Sequence, residues 1–338
     1  MNFTITKPEL FVDNQARKRS GHMGHALVEY KPGKILDFYS DCDYDRVSGH
    51  SGYGWMEYRR SEDYGRTWGN ERVLNYTKRV FDEGVHTALC EKAMANSKGD
   101  ICCLFQITDA SRPIACEPWS EPTYIISRDG GESWSDARQA CPVKGRIYDS
   151  LARGDTLHFL IHDNPHFIGN APEHCFRLYR SDDLNAGFYE QSVLPINAIG
   201  KGYCTMEYMQ DGSIIAYVYD SLNETHMPYC ISRDGGDSWD ECGSAYFAKK
   251  IRNPQLVRTH KLWFLCGRNG DKGDGLVIYS SPDGINWDEG VIAATRPVDG
   301  CAYYSNTLYI KESGRVLVQF SHVYDRNRVN IMHLWIDQ

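Results

Sequence analysis

Side chains that can move protons or bind anions recur in this sequence at the ends of short apolar segments. One set stands at the start of such segments: His22, His25, His86, Arg146, Tyr148, Tyr203, Arg252, Tyr303 and Tyr304. A second set follows the next apolar segment along the chain: Asp41, Asp43, Asp109, His162, Asp220, Arg268 and His322. Histidines and carboxylates act as general acids and bases, phenols as nucleophiles or proton donors, and guanidinium groups bind anions. The residue types therefore predict acid–base chemistry on a substrate with anionic or hydroxyl groups.

The spacing of histidines and cysteines is not typical of a metal site. The 12 cysteines include no C-x-x-C pair, and the candidate histidines include no H-x-H or H-E-x-x-H pair. His25, His86, His162 and His322 could together offer imidazole ligands to zinc, but histidine is equally an acid–base residue. We expect neither a bound metal ion nor a cofactor.

The apolar segments come in pairs, each joined by a polar or Gly-containing turn. Six pairs lie at residues 25–41, 86–108, 148–163, 203–220, 253–268 and 304–322. Their period-two alternation and their β-branched and aromatic residues are typical of β-hairpins. The start of the first strand of a hairpin and the end of the second lie side by side. The two sets of chemical residues should therefore meet on one face of the protein.

A turn motif repeats between these hairpins. Three full copies read Ser-x-Asp-x-Gly-x-Ser/Thr-Trp, at residues 61–68, 127–134 and 232–239, while 281–287 is a contracted copy and 181–188 a degenerate one. The Asp can cap the backbone of its own turn, the Gly permits positive φ, and the Trp packs the turn onto its unit. The copies recur every 49 to 66 residues, the length of a four-stranded unit with variable loops.

The repeated turn resembles the Asp box, or BNR repeat, of the sialidase (neuraminidase) superfamily. The resemblance implies an all-β fold: a six-bladed β-propeller with four-stranded antiparallel blades, formed by residues 1–338 as a single domain. Residues 3–12 would complete the last blade beside the C-terminal strand. The resemblance also places the repeated turns on the rim opposite the active face.

The resemblance implies roles for individual residues. Sialidases use an Asp as general acid, a Tyr assisted by a Glu as nucleophile, and three arginines that hold the substrate carboxylate. By position, Asp41 or Asp43 would be the acid, Tyr304 the nucleophile and Glu207 its partner. A neutral phenol suits attack on an anionic sugar because it avoids charge repulsion.

The arginine clamp is only partly present. The place of the first arginine reads His22-Met-Gly-His25, and Asp220 stands where the second should follow its strand. Arg252 or Arg268 is the candidate for the third. Since a fork of guanidinium donors is what suits a carboxylate, the sequence favours a sialidase-like glycoside hydrolase acting on a terminal sugar other than sialic acid, with an acidic sugar among the candidates.

Two alternatives remain open. A propeller-type polysaccharide lyase would cleave uronate linkages by β-elimination, with His86, Tyr148 and Arg146 as its base, acid and cation. A non-catalytic glycan-binding propeller would use surface aromatics such as Trp55 and Trp119. The remaining candidate substrate-binding residues are His25, Tyr203, Asp220 and His162.

Composition narrows the possible partners. The 338 residues carry 37 Lys and Arg against 45 Asp and Glu, a formal net charge of −8, which does not suit a protein that binds nucleic-acid phosphates. No run of eighteen apolar residues is present, so no membrane partner is expected. The N-terminus has no apolar signal-peptide core, which predicts a cytoplasmic location with reduced thiols. A glycan is the expected partner, and the sequence does not indicate the oligomeric state.

Overall fold

The computed structural model describes residues 3–48, 51–112, 117–270, 275–298, 302–326 and 328–338. Within them the chain forms six antiparallel sheets around a common axis, which confirms the predicted six-bladed β-propeller. The innermost strands neighbour one another in sequence order, and the last of them also contacts the first. The sheets therefore close into a ring.

The strands and helices follow the blades in chain order. The chain begins with β1 (Thr4–Ile5), β2 (Glu9–Val12) and helix α1 (Asn14–Arg17). Blade 1 contains β3 (Arg19–Ser20), β4 (Ala26–Lys31), β5 (Lys34–Ser48), β6 (Ser51–Ser61) and β7 (Arg72–Val73), and helix α2 (Asn75–Asp82) follows it. Blade 2 contains β8 (His86–Ala95), β9 (Ile101–Asp109), β10 (Thr123–Ser127) and β11 (Arg138–Gln139). Blade 3 contains β12 (Arg146–Arg153), β13 (Thr156–Asp163), β14 (Cys175–Ser181) and β15 (Tyr189–Val193).

The second half of the ring repeats this plan. Blade 4 contains β16 (Lys201–Tyr208), β17 (Ile214–Asp220), β18 (His226–Ser232) and β19 (Asp240–Tyr246). Blade 5 contains β20 (Arg252–Arg258), β21 (Trp263–Arg268), β22 (Gly275–Ser281) and β23 (Val291–Thr295). Blade 6 contains β24 (Ser305–Ile310), β25 (Arg315–Asp325) and β26 (Arg328–Asp337). Neither described helix is long and apolar enough to cross a membrane.

The N-terminal segment closes the ring, as the sequence predicts. Strands β1 and β2 both pair with β26 and so complete blade 6. A buried polar contact joins this blade to blade 1: the Asp37 carboxylate of β5 accepts a hydrogen bond from the Gln319 amide and lies 2.7 Å from His333 Nε2. Phe11 of β2 stacks on the His333 ring, with centroids 3.8 Å apart. Closure therefore combines strand pairing with one fully enclosed carboxylate.

Apolar side chains from facing sheets fill the space between blades. Between blades 1 and 2, for example, Leu36, Phe38 and Met56 pack against Leu89 and Phe105, and all five are buried. Burial of this kind is the main stabilising term of the fold. The nine cysteines whose side chains the structure describes form no disulfide bonds.

The repeated turns share one hydrogen-bond pattern at the connection between the third and fourth strands of a blade. In blade 2, Ser133 N–H donates to Asp129 Oδ1 at 2.9 Å and Gly131 N–H donates to Ser127 Oγ at 2.8 Å. The same bonds occur around Asp63 and Asp234. Because the third strand runs away from the face where the inner strand begins, these turns lie on the opposite rim.

Replacing Asp129 with alanine should lower the free energy of unfolding by about 1 kcal/mol, since it removes hydrogen bonds to an exposed charged cap. Hydrogen bonds from Ser133 lower the pKa of Asp129 to about 2 from 3.8. The Asp129 cap therefore makes its full contribution to the free energy of unfolding above pH ~4, and this contribution decreases as the pH falls towards 2. Urea unfolding of the variant and wild type across this range measures the difference. Asp136→Ala, an exposed aspartate in the same turn, is the control, and an equal loss there would contradict the capping role.

Candidate active site in the axial cavity

A β-bulge interrupts the inner strand of each of blades 2 to 5. The pairing of each inner strand with its neighbour slips by one residue at this point. The extra residues are Glu91, Tyr148, Tyr203, and Asn253 with Pro254. Bulges commonly re-aim side chains beside active sites. Here every extra side chain lines the same cavity on the propeller axis.

Backbone strain accompanies these bulges. Tyr203, Asn253 and Tyr303 have positive φ angles of 41°, 52° and 66°, at equivalent places in three successive blades. Such angles cost a non-glycine residue about 1–3 kcal/mol each and persist only where the surroundings enforce them. The surrounding blades therefore hold the rim of the cavity in a fixed, strained shape.

The cavity is small and polar. Its principal lining residues are Met23, His25, Glu91, Lys92, Arg146, Tyr148, Tyr203, Asn253, Gln255, Tyr304 and Asn306. Its volume of about 50 Å³ could hold three or four water molecules, at roughly 10–15 Å³ for each. The cavity can thus accept a small polar group.

Glu91 is the carboxyl group of this cavity, and the sequence did not single it out. Its Oε1 is buried without a hydrogen-bond partner among the described residues. Burial raises the pKa of Glu91 to about 7, although the positive charges of Arg146 and Lys92 act to lower it. Glu91 can therefore exchange a proton near neutral pH. The only sequence signal was the adjacent charged pair Glu91-Lys92, which breaks the alternation of an otherwise apolar strand.

Arg146 and Tyr148 of blade 3 stand beside Glu91. The Arg146 guanidinium carbon lies 5.7 Å from the centre of the Tyr148 ring, and the residue is 4% exposed. The Tyr148 hydroxyl is buried with no hydrogen-bond partner in the described part of the chain. Burial raises the pKa of Tyr148 well above its usual value despite the charge of Arg146, so the phenol stays neutral. A carboxyl, a phenol and a guanidinium group thus come together from two adjacent blades.

Other predicted residues reach the same cavity from the far side. Tyr304 lines it from blade 6, with the Arg268 guanidinium carbon 5.7 Å from its ring centre. His25 lines it from blade 1, and burial lowers the pKa of His25 to about 4, so this imidazole is neutral at pH 7. Tyr203 lies edge-on to Tyr148, with centroids 5.2 Å apart. These aromatic residues line one cavity, so they lie on a common face as the sequence predicts.

Glu207 does not stand beside Tyr304, which corrects the expected nucleophile pair. Glu207 lines a second cavity of about 390 Å³ at the other end of the axis. Its carboxylate accepts hydrogen bonds from the backbone N–H groups of Tyr208 at 2.8 Å and Arg258 at 3.3 Å. Four strand residues, about 13 Å, separate Glu207 from the bulge at Tyr203. Glu91 is the carboxyl group that shares a cavity with Tyr304.

The role of general acid predicted for Asp41 is also corrected, because its carboxylate lies in a buried ion-pair network. Its carboxylate binds Arg17 Nη2 at 2.6 Å and Arg19 Nε, while Arg17 also binds Glu57 at 2.8 Å. The two guanidinium groups thus occupy both carboxylate oxygens of Asp41. Asp43 lies two residues further along the same strand, opposite Arg19, and is half-buried.

Several predicted residues surround the cavity without lining it. His86 stacks on Trp119, with centroids 5.4 Å apart, and begins β8 roughly 15 Å along the strand from Glu91. His162 is buried beneath Arg146, its cross-strand neighbour, and stacks on Phe176. Burial lowers the pKa of His162 to about 3.

Ion pairs hold two further predicted residues. Arg252 Nε lies 3.2 Å from Glu224, and Asp220 lies 3.4 Å from Lys201 Nζ. These pairs leave less of each charge available to a substrate. Within the described ranges, no three His, Cys, Asp or Glu side chains converge as metal ligands would.

The six-bladed propeller of this chain is similar in fold to solved sialidase structures. It aligns over 98% of its length with the NanB sialidase of Streptococcus pneumoniae, covering 70% of that chain at 12% identity and a TM-score of 0.72. It aligns over 99% with the phage phi92 endosialidase, covering 69% of that chain at 8% identity and a TM-score of 0.70. A protein of unknown function from Dyadobacter fermentans aligns over 99% of both chains, at 13% identity and a TM-score of 0.72. No protein-family model and no curated protein sequence matches the chain. At these identities the likeness concerns the fold.

Proposed function

We propose that the protein is a glycan-cleaving hydrolase whose reaction centre is the axial cavity and whose substrate carries an anionic group. The observation that carries this proposal is the cluster of Glu91, Tyr148 and Arg146 on adjacent blades. A carboxyl that titrates near neutrality, a neutral phenol and a buried guanidinium are the groups that acid–base cleavage of an acidic sugar needs. The fold shared with sialidases supports the same class of substrate.

In the proposed reaction, Arg146 binds the anionic substituent that enters the cavity. Glu91 takes the phenolic proton as Tyr148 Oη attacks the anomeric carbon, and the glycosidic C–O bond breaks. Asp43, on the second strand of blade 1, gives its proton to the leaving oxygen. Water then attacks the anomeric carbon and gives a proton to Asp43, while the tyrosyl–sugar bond breaks and Tyr148 recovers its proton from Glu91. Tyr304, across the cavity, orients the sugar.

The same cluster favours β-elimination as a second candidate reaction. Glu91 would remove the proton α to a uronate carboxylate, and Arg146 would stabilise the enolate-like intermediate. Tyr148 would donate its proton to the leaving oxygen as the C–O bond breaks, which produces an unsaturated sugar. In this reaction Glu91 is the base, the role predicted for His86 from the sequence.

Replacing Tyr148 with phenylalanine should lower kcat/KM on a cleaved acidic oligosaccharide by at least about 100-fold, since the phenol is the nucleophile or the acid in both reactions. Mass spectrometry of the products distinguishes the two reactions, because hydrolysis adds one water and elimination adds none. Tyr304→Phe measures how far the second phenol contributes.

Glu207→Gln is the matched control, because it changes a carboxyl at the other end of the axis. It should alter kcat/KM by only a few-fold. Wild-type activity in Tyr148→Phe would rule out the proposed centre. Binding of acidic glycans without any product would instead favour the glycan-binding propeller.

A further inference from the structure

A second layer of polar residues lies directly beneath the bulges. The Lys92 ammonium, one residue after the Glu91 bulge, donates hydrogen bonds to the Gln255 side-chain oxygen of blade 5 and, at 3.2 Å, to Asn306 Oδ1 of blade 6. It also lies 3.2 Å from Asp149 Oδ1 of blade 3. Lys92 and Asp149 are each 6% exposed. A lysine is rarely buried to this degree unless it is paired.

The partners of Lys92 extend the network to the remaining blades. Asp149 Oδ2 accepts hydrogen bonds from Thr205 Oγ1 at 2.6 Å and from Met206 N–H at 2.8 Å, both in blade 4. Asn306 Nδ2 donates to the His25 carbonyl of blade 1 at 2.6 Å. All six blades are therefore joined at the axis through one buried ion pair.

This network also forms the floor of the candidate active site. Lys92, Gln255 and Asn306 line both the cavity that contains Glu91 and the second cavity at the other end of the axis. The layer thus separates the two cavities. It lies on the chain immediately next to the bulges at Glu91 and Tyr148, so a shift of this layer would move both side chains.

We propose that Lys92 is a positioning residue for the reaction centre: its ammonium, fastened by three other blades, fixes the bulge that carries Glu91 and places a positive charge beneath the Glu91 carboxyl. The role of Lys92 in catalysis rests on the proposed function, whereas its effect on the ionisation of Glu91 does not. The titratable and charged groups that share the cavity with Glu91 are His25, Lys92, Arg146, Tyr148, Tyr203, Cys204 and Tyr304, and Asp149 lies beyond Lys92. Only Lys92 and Arg146 among them are cationic at neutral pH.

The test is the titration of the Glu91 carboxyl by NMR, with Glu91→Gln used to assign its carbon signal. In Lys92→Met, loss of the nearby positive charge should raise the titration midpoint by about one pH unit or more. Lys92→Arg keeps the charge and should leave the midpoint close to that of the wild type. An unchanged midpoint in folded Lys92→Met overturns the proposal.

Gln255→Leu provides a second route if Lys92→Met does not fold. It removes one of the groups that hold Lys92 while leaving the ion pair with Asp149, so the Glu91 midpoint should move although every charge is retained. A midpoint identical to the wild type in this variant also overturns the proposal. Because the titration needs no substrate, a protein that cleaves no glycan would refute the proposed function and still decide the role of Lys92.

Discussion

Glu91→Gln should lower kcat/KM for an acidic glycan by about 10²- to 10⁴-fold, the usual contribution of a general acid–base group. The amide retains the size of the carboxyl but cannot accept and return a proton. The remaining rate should also lose the wild-type dependence on an ionisation near pH 7. Steady-state kinetics between pH 5 and 9 measure both effects. A pH profile unchanged in shape would show that another group transfers the proton.

The same substitution should stabilise the protein at alkaline pH. The pKa of Glu91 is raised by burial from 4.5 to about 7, so the folded state holds the proton more tightly than the unfolded state does. Below pH 4.5 the Glu91 carboxyl is protonated in both the folded and the unfolded state, so folding does not bury a charge there. As the pH rises from about 4.5 to 7 the wild type loses stability, and above 7 the cost is complete. Glu91→Gln should then be more stable than the wild type by about 1–3 kcal/mol at pH 8, with little difference at pH 4.5.

A matched control comes from Glu29, a half-buried glutamate of blade 1 whose pKa is also raised by burial. It lines the second cavity and accepts a hydrogen bond from Gly33 N–H at 2.8 Å. Glu29→Gln should leave kcat/KM within a few-fold of the wild type. Loss of activity in both variants would indicate a general effect of charge on the propeller and would argue against a specific role for Glu91.

Asp149→Asn should reduce the free energy of unfolding by about 3–5 kcal/mol, because it leaves the buried Lys92 charge without its counter-ion. Asparagine keeps the size of the side chain, but Asp149 accepts hydrogen bonds on both oxygens, from Ser150 N–H on one and from Thr205 and Met206 on the other. The loss therefore combines the missing charge with one missing acceptor. Urea or thermal unfolding at pH 7 measures it. Such a loss is a large fraction of the stability of an ordinary domain, and the variant should therefore also yield less folded protein.

The exposed pair of Arg233 and Asp240 gives the comparison for this effect. Their side chains are 63% and 69% exposed, so Arg233→Gln should change stability by no more than about 1 kcal/mol. Replacing both members of the axial pair, as Lys92→Met with Asp149→Leu, should recover much of the lost stability, since apolar residues of similar volume often replace a buried ion pair without loss. If Asp149→Asn costs no more than Arg233→Gln, the axial ion pair does not hold the blades together.

The repeats made the fold predictable from the sequence. Three full copies of one turn, at Asp63, Asp129 and Asp234, gave the length of the unit, and the alternating hairpins between them gave its strands. The prediction that residues 3–12 complete the last blade is confirmed by the pairing of β1 and β2 with β26. These features are local, because the hydrogen bonds that form a turn or hairpin lie within a few residues of one another.

The candidate site was only partly predictable. Tyr148, Tyr203 and Tyr304 reach the cavity as expected, because each stands where an inner strand begins. Strict alternation along the strand puts Glu207 on the same face as Tyr203, which makes it the predicted carboxylate partner of Tyr304. The bulge at Tyr203 shifts this alternation by one residue, and the distance along the strand places Glu207 at the other end of the axis. The position of Asp41 after an apolar segment makes it a predicted general acid. Its two arginine partners are evident only in the three-dimensional structure.

The sequence by itself determined the blade count, the strand pairs and the face on which the phenols gather, since repeats and periodicity express local geometry. Only the tertiary structure decided which carboxyl group lies beside them. Glu91 reaches the cavity through a bulge, and the bulge is held by Lys92, whose partners Asp149, Gln255 and Asn306 lie 57 to 214 residues away along the chain. No short-range pattern records such contacts, because they form only when the six blades close around one axis.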